Sequence, residues 1–406
     1  MKTTIGVGIL YSIIVVVLGA ATIYGEYEGL DRAIREIYHA WWFILLWAAL
    51  ALGGIVHIVR RRIKDIPTLM LHSSLVLILA GALVTHVWGI QGSIHLRKGS
   101  FAVYYDSEGS LQQLPFAIRL DSFSMQLHPE NGNVADYRSK LTLADMSHNI
   151  LRQCEVSMNN IMSYKGWRFY QWSYDSDGMG STLIINRDPW GIAVTYIAYI
   201  LLFMSITWIA IRGSRRTLRL RLARGRLSVF ERIISGIAIV LSSITAVLGA
   251  AFLATQLCGT NPWIMDMQPV LNSPYLSVHV SVITIAYVLL LLCLVCSVRA
   301  FIGGNKSNLR LLSLALLYPS MAMLVIGIFI GAIWANVSWG NYWGWDPKEV
   351  WSLVTMMIYA VALHSGSLPW LRRPAAYHAY MAVSFLTILM TFFGVNFLLS
   401  GLHSYL

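Results

Sequence analysis

Nine apolar stretches of membrane-spanning length constrain this chain more than any other feature. Each has roughly 17 to 25 residues, the length that an α-helix needs to cross about 30 Å of hydrocarbon. Because 57% of the 406 residues are hydrophobic and only 12% are charged, soluble globular classes are excluded. The fold class predicted is a polytopic α-helical membrane protein with about nine transmembrane helices. The predicted spans are 4–24, 39–59, 67–88, 190–211, 231–254, 279–299, 311–334, 350–368 and 377–400.

The net charge of +11 is distributed unevenly between the loops. If the N-terminus is cytoplasmic, the inner loops hold 18 Lys and Arg residues against Asp65 and Glu231, and the remaining 12 bases and 17 acids lie outside. Because inner loops carry the excess of basic residues, we predict a cytoplasmic N-terminus and an extracytoplasmic C-terminus in the cell inner membrane. The basic run from Arg212 to Arg226 thus indicates topology and no nucleic-acid partner, with binding of anionic membrane lipid as the alternative.

A soluble region interrupts the apolar spans at residues 89–188. It alternates apolar and polar residues in short runs, such as 100–105 and 182–185, and turn signals separate the runs. This pattern predicts a small β-rich extracytoplasmic domain.

The four cysteines give little functional information. Cys154 and Cys258 both fall outside, where a disulfide is chemically possible, and their pairing stays open. Cys293 and Cys296 share one face of a helix at i and i+3, which favours helix packing over redox or metal chemistry.

An aromatic segment from Trp339 to Trp351 lies between two apolar spans. Its sequence, WGNYWGWDPKEVW, places five aromatic residues within thirteen positions at a membrane boundary. An interfacial aromatic belt is the simpler explanation. Belt residues, however, require neither fixed spacing nor the glycines at 340 and 344. The segment therefore predicts a flat aromatic surface that suits a large planar ligand.

Histidines near the membrane boundaries are the second set of candidates. Ionisable residues inside a membrane are costly and usually functional, and a neutral imidazole is the usual protein ligand of haem iron. His72 lies about 7 Å from the inner face, and His364 lies at a similar depth. His279 and His403 flank the aromatic segment at the outer face.

Depth alone does not decide which histidines are ligands. His57 and His378 also lie near the inner boundary, and His39 and His86 lie near the outer one. At this point the assignment stays open.

Sequence resemblance separates these alternatives. The string from Trp339 to Trp351 resembles the WWD signature of haem-handling proteins of cytochrome c maturation. The segments around His279, His364 and His403 are similar to the CcsA branch of that superfamily. The segment around His72 and the run YKGWRFYQWSYD are similar to its CcsB, or ResB, partner. In this order they resemble a fused CcsBA-type System II cytochrome c synthase.

The resemblance implies two parts. Residues 1–225 correspond to a CcsB/ResB-like part with about four transmembrane helices and the β-rich domain at about 89–188. Residues 226–406 correspond to a CcsA-like part with about five transmembrane helices and the WWD loop at about 335–349. The CcsB-like part is short beside many relatives, which leaves partner docking by its soluble domain open.

The resemblance also implies a function. Such proteins move ferrous haem b, as a substrate, to an outer site and attach it through thioethers to the CxxCH segment of apocytochrome c. A thioredoxin-like protein that keeps the substrate thiols reduced is the implied partner. The implied haem-iron ligands are His72 and His364 inside the membrane and His279 and His403 at the outer site. The implied catalytic residues are the outer histidines with Trp339, Trp343, Trp345 and Asp346.

Other functions stay open at this stage. A haem exporter or chaperone would use the same WWD loop without synthase activity, and a CcmF-type haem lyase would share the signature. An unrelated secondary transporter would show inverted repeats and broken helices at the midplane, and the sequence has no visible repeat. Asp346, Lys348 and Glu349 either steer haem propionates or protons, or cap the helix that follows.

Overall fold

The computed structural model describes residues 2–107, 109–127, 134–158, 160–258, 273–365 and 367–399. Within these ranges eight helices are long and apolar enough to cross a membrane. They confirm the polytopic helical class. These helices are α1 (Lys2–Glu28), α3 (Trp41–Arg61), α4 (Ile66–Trp88), α5 (Pro189–Leu222), α6 (Val229–Leu257), α7 (Pro274–Phe301), α8 (Lys306–Trp339) and α10 (Pro374–Leu389), which continues through a π-helical turn (Met390–Gly394) into α11 (Val395–Leu398).

The eighth predicted span differs from the helix that the structure contains. The prediction was 350–368, whereas α9 is the 17-residue helix Pro347–Leu363. It starts early because Asp346 and Pro347 provide an N-cap and a favoured first residue. At 1.5 Å per residue it is about 25 Å long, at the lower end of spanning length. Two short elements connect α1 to α3, namely α2 (Leu30–Ala33) and a π-helical turn (Ile34–Tyr38).

The predicted β-rich domain is confirmed as one antiparallel eight-stranded sheet between α4 and α5. The spatial strand order is β5-β4-β3-β2-β1-β8-β7-β6. Because β1 and β8 pair along their full length, from Ile90 opposite Arg187 to Arg97 opposite Gly180, the domain begins and ends at the same place. The strands are β1 (Ile90–Arg97), β2 (Phe101–Ser107), β3 (Ser110–Leu127), β4 (Val134–Ala144), β5 (Ile150–Ser157), β6 (Met162–Tyr164), β7 (Trp167–Tyr174) and β8 (Gly180–Arg187).

Of the four cysteines, Cys293 and Cys296 are consistent with a packing role. All four are free thiols, so the structure has no bond between Cys154 and Cys258. Cys293 and Cys296 are fully buried in α7, and the Cys293 thiol lies 3.4 Å from the Ser313 carbonyl oxygen. Packing within the helical core therefore accounts for the CxxC spacing.

The pair α4 and α5 is held together by a close approach of backbones. A Cβ atom at Gly81 would lie 2.4 Å from the Thr195 hydroxyl, and one at Gly191 would lie 2.1 Å from the Thr85 hydroxyl. The Thr85 hydroxyl donates to the Asp188 carboxylate at 2.6 Å, and the same carboxylate accepts from the Gly191 amide at 2.8 Å. Small residues allow such contacts between transmembrane helices.

We expect Gly81→Leu to separate α4 from α5, because the new side chain has no space beside Thr195. Overpacking of this kind costs typically about 1–3 kcal/mol. The melting temperature of the detergent-solubilised protein should fall clearly. Gly54→Leu on α3 is the matched control, because a Cβ there meets nothing within 4 Å. Equal melting temperatures for both variants would contradict the close approach.

Candidate functional site

A cavity of about 3830 Å³ runs through the helical part of the molecule. Mainly aliphatic side chains from α1, α3, α4, α5, α8 and α9 form its walls. Typical small-molecule pockets have volumes of about 300–1,000 Å³, so the cavity is large enough for a bulky ligand at more than one position. His72 and His364 line one end, and the WWD-loop residues Trp343 and Trp345 line the other.

The structure brings His72 and His364 together at one end of the cavity. Their ring centroids are 6.2 Å apart and the ring planes are perpendicular. Each Nδ1 lies 2.8 Å from the carbonyl oxygen one helical turn earlier, at Thr68 and Ala360 respectively. A carbonyl oxygen only accepts, so each Nδ1 must be the protonated nitrogen. The neutral rings therefore carry their lone pairs on Nε2, which is the atom that can bind a metal.

The position of His72 depends on the start of α4. The Asp65 carboxylate caps this helix, accepting from the Thr68 hydroxyl at 2.5 Å and the Thr68 amide at 3.3 Å. The Arg212 guanidinium donates to the same carboxylate at 2.6 Å. The Thr68 hydrogen bond and the Arg212 charge keep the pKa of Asp65 below its ordinary value. The cap therefore stays ionised at neutral pH and fixes the turn whose carbonyl holds His72.

The other two histidines that were predicted to lie near the inner boundary have different surroundings. His378 is fully buried, and its Nδ1 and Nε2 lie 3.1 Å from the Ser297 hydroxyl and 3.0 Å from the Lys306 carbonyl oxygen. Both nitrogens are engaged, so His378 joins α10 to α7 and α8. His57 lines the cavity beside Arg61 but is not part of the ring pair.

The WWD loop follows α8 and forms an aromatic surface at the opposite end of the cavity. Trp345 stacks on Tyr38 with a centroid distance of 4.2 Å and an interplanar angle of 7°. Phe43 and Trp343 contact Trp345 edge to face, at 5.7 Å and 6.2 Å. Trp345 has a φ of 57°, an uncommon conformation for a residue other than glycine. The indole is thus fixed by packing from both its own loop and the π-helical turn.

The charged residues of the loop are part of its local structure. Asp346 is buried and caps α9, accepting from the Lys348 amide at 2.9 Å. Glu349 accepts from the Gly344 amide at 2.8 Å, which closes the loop. The Lys348 ammonium donates to Asn396 at 2.9 Å and so ties α9 to α11. Capping, one of the two predicted roles of Asp346, accounts for its hydrogen bond to α9.

The β-rich domain rests directly on the WWD loop. Asn186 donates to the Gly340 carbonyl oxygen at 2.9 Å, and the Arg168 guanidinium donates to Asn336 at 3.0 Å. Gly340 is left-handed with φ 84°, and a Cβ there would lie 2.8 Å from the Tyr170 ring. The domain and the aromatic surface therefore lie on one face of the bundle, opposite the His72 and His364 pair.

The predicted outer histidines lie only partly within the described ranges. His279 on α7 faces α8, with its Nδ1 2.8 Å from the Gly327 carbonyl oxygen. A Cβ at Gly331 would lie 2.8 Å from the His279 ring, so this glycine makes room for the imidazole. His403 lies outside the described residues, and its pairing with His279 stays a prediction. Trp339 ends α8 and contacts Trp334 at 5.1 Å.

The sequence did not reveal several residues that build this site. Tyr38 precedes the second predicted span, and no local pattern marks it as the stacking partner of Trp345. Asn186 lies in β8, 154 residues before Gly340, and Arg168 lies in β7, 168 residues before Asn336 of α8.

Comparison with known proteins gives two family matches. Residues 190–403 match the cytochrome C assembly protein family, and residues 60–188 match the ResB-like family. The matched ranges contain His279, His364 and His403 in the first case and His72 in the second. The boundary at residue 225 stays a prediction.

Several curated relatives are similar over part of their length. Protein NrfI of Wolinella succinogenes is 38% identical over 187 residues, which are 41% of this chain and 20% of NrfI. The cytochrome c biogenesis protein CcsA of Gloeobacter violaceus is 48% identical over 109 residues, or 26% of this chain and 30% of that protein. CcsA of Chlamydomonas reinhardtii is 38% identical over 150 residues, or 34% and 42%. The chain therefore spans less than half the length of these relatives.

We expect Asp346→Asn to preserve α9 and Asp346→Ala to weaken it. Asn and Asp are both good N-caps, whereas loss of a cap costs about 0.5–2 kcal/mol. The melting temperature in detergent should therefore fall for the alanine variant only. Equal loss in both variants would show that the carboxylate charge, rather than the cap, holds the loop.

Proposed function

Because this chain belongs to the cytochrome c assembly protein family, we propose that it receives haem at the inner side of the membrane and attaches it at the outer side to apocytochrome c. The haem is ferrous haem b, and it is a substrate of the protein. The membrane is the cell inner membrane, with a cytoplasmic N-terminus and an extracytoplasmic WWD loop. The loop distribution of basic residues supports this orientation.

The pairing of His72 with His364 is the observation that carries the proposal. Two metal–imidazole bonds of about 2.0 Å and two ring radii of about 1.1 Å separate the centroids of axial ligands by about 6 Å. The rings are 6.2 Å apart. Both present Nε2 as the lone-pair nitrogen, because backbone carbonyls hold each Nδ1 proton. The pair is thus suited to hold one haem iron from both sides.

Bis-imidazole ligation explains how haem is held before attachment. Two imidazoles occupy both axial positions, so the iron offers no open position to oxygen. The aliphatic walls of the cavity exclude water and bury the porphyrin edges. Both effects favour the ferrous state that attachment requires.

The WWD loop is the proposed outer site. Trp339, Trp343 and Trp345 provide indole rings for the porphyrin face, and Tyr38 supports Trp345 from behind. His279 and His403 provide the iron ligands at this site. The hydrogen bond from His279 Nδ1 to Gly327 supports this role, because it assigns the lone pair to Nε2.

Attachment is a thiol addition without net oxidation or reduction. Each cysteine of the substrate CxxCH segment adds its sulfur to a haem vinyl group. One S–C bond forms, the vinyl double bond becomes a single bond, and the thiol proton is transferred to the terminal carbon. The substrate histidine then replaces a protein ligand at the iron.

Catalysis by this site is chiefly the positioning of two reactants. Holding reacting groups at a fixed orientation can supply about 7–11 kcal/mol of the barrier. The β-rich domain contacts the WWD loop through Asn186 and the end of α8 through Arg168, so we place it where an apocytochrome segment would approach. A thioredoxin-like protein, which the family resemblance implies, would keep the substrate thiols reduced, and lipid would surround the helices.

We expect His72→Gly and His364→Gly each to lower the haem content of the purified protein. Loss of an outer-shell partner alone costs about 10- to 100-fold in metal affinity, so loss of a ligand should weaken haem binding by at least about tenfold. Imidazole in the medium should partly restore the bis-imidazole absorption spectrum. His57→Gly, which removes an imidazole from the same cavity, is the control. If the haem content fell more in the His57→Gly variant, His57 would be a ligand of the inner site instead.

Synthase activity has a direct test in cells that lack their own maturation system. Co-expression of this chain with a CxxCH apocytochrome should yield covalent haem, scored by haem staining of a denaturing gel. His279→Gly and His403→Gly should abolish it, and an apocytochrome with both cysteines changed to serine is the control. Haem-loaded protein without any covalent product would instead indicate an exporter or chaperone. A colourless protein from haem-replete cells would indicate a transporter of another kind.

A further inference from the structure

A second pair of imidazoles meets at the outer end of the cavity. His39 follows the π-helical turn, and His86 lies in the last turn of α4. Their ring centroids are 6.0 Å apart with an interplanar angle of 61°. Both side chains are exposed to the cavity and line it. The separation is close to that of His72 and His364, and to the distance of about 6 Å expected for two axial ligands of one metal.

Helix α4 contributes one histidine to each pair, and both histidines lie on the side of α4 that faces the cavity. His72 and His86 are 14 residues apart, just under four turns at 3.6 residues per turn, so they share one face of the helix. At 1.5 Å per residue they are about 21 Å apart along the axis. Leu75, Leu79 and Ala82 lie on the same face between them and line the same cavity. An apolar stripe therefore connects the two imidazole pairs.

The pair formed by His39 and His86 lies beside the aromatic surface of the WWD loop. His39 is the next residue after Tyr38, and Tyr38 stacks on Trp345 at 4.2 Å. His279, in contrast, packs against Gly327 and Gly331 on α8 and is not among the described residues that line the cavity. The His39 and His86 pair is thus a different set of residues from His279 and His403, and it lies beside the loop at the far end of α4 from His72.

We propose that His39 and His86 bind haem iron as an intermediate site between the inner pair and the WWD loop. This inference rests on the proposed function, in which haem passes from one end of the cavity to the other. The ligand is a metalloporphyrin, because the apolar walls suit its faces and the facing imidazoles suit its iron. After the apolar stretch of the cavity between His72 and His86, this pair would provide the iron with two nitrogen ligands for a second time.

The test uses the purified full chain with the other two pairs broken. His72→Gly combined with His279→Gly removes one ligand from each of them. Titration of this variant with ferric haem should still give a low-spin, bis-imidazole absorption spectrum. Adding His86→Gly, or His39→Gly, should weaken haem binding by at least about tenfold. Imidazole should restore the spectrum, which separates loss of a ligand from misfolding.

The control variant adds His57→Gly to the same background, because His57 lines the cavity away from this pair. The control should keep the spectrum. If the double variant binds no low-spin haem while the original chain does, the intermediate site is wrong and the proposed function stands. The same conclusion follows if His86→Gly has no effect or if imidazole fails to restore binding. If the original chain itself takes up no haem, both the proposed function and this inference are wrong.

Discussion

The hydrogen bond from an imidazole Nδ1 to a carbonyl one turn earlier is the interaction on which the proposed site at His72 and His364 depends. A histidine in an apolar bundle must be neutral, and it needs a partner for its N–H group. Thr68 and Ala360 provide that partner within the same helical segment. The backbone carbonyl thus selects the tautomer and directs Nε2 away from its own helix. It also fixes the ring without the help of a charged side chain. The contrast with His378 is instructive, because there both nitrogens are engaged and the residue joins helices.

Much of the fold was predictable because hydrocarbon length and strand alternation are strong local signals. The apolar spans gave the helices, and the alternating region gave the sheet between α4 and α5. The eighth span was misplaced because hydropathy locates an apolar core, whereas the Asp346 cap and Pro347 determine where α9 begins. The resemblance chose His72 and His364 from several histidines at similar depth. Their contact depends on how α4 and α9 lie in the bundle, which no local pattern encodes.

Other parts of the site depend on distant contacts and were not predictable. The stack of Tyr38 on Trp345 joins residues from opposite ends of the chain, and the hydrogen bond from Asn186 to Gly340 joins a strand to a loop. The pairing of His39 with His86 is of the same kind, since the two residues lie in separate elements. The spacing of His72 and His86 on one helical face was present in the sequence. Without the tertiary arrangement, this spacing could not be distinguished from two histidines that share a helical face by chance.

The first and last strands of the β-rich domain are paired, and this has an evolutionary consequence. Its first strand, from Ile90, pairs with its last strand, which ends at Arg187, so both connections to the bundle meet above the tightly packed α4 and α5. Segments whose ends are already adjacent can lengthen or shorten with a small entropic cost, because each doubling of a flexible loop costs only about 0.6 kcal/mol. Selection could therefore resize this domain while the helices keep their arrangement.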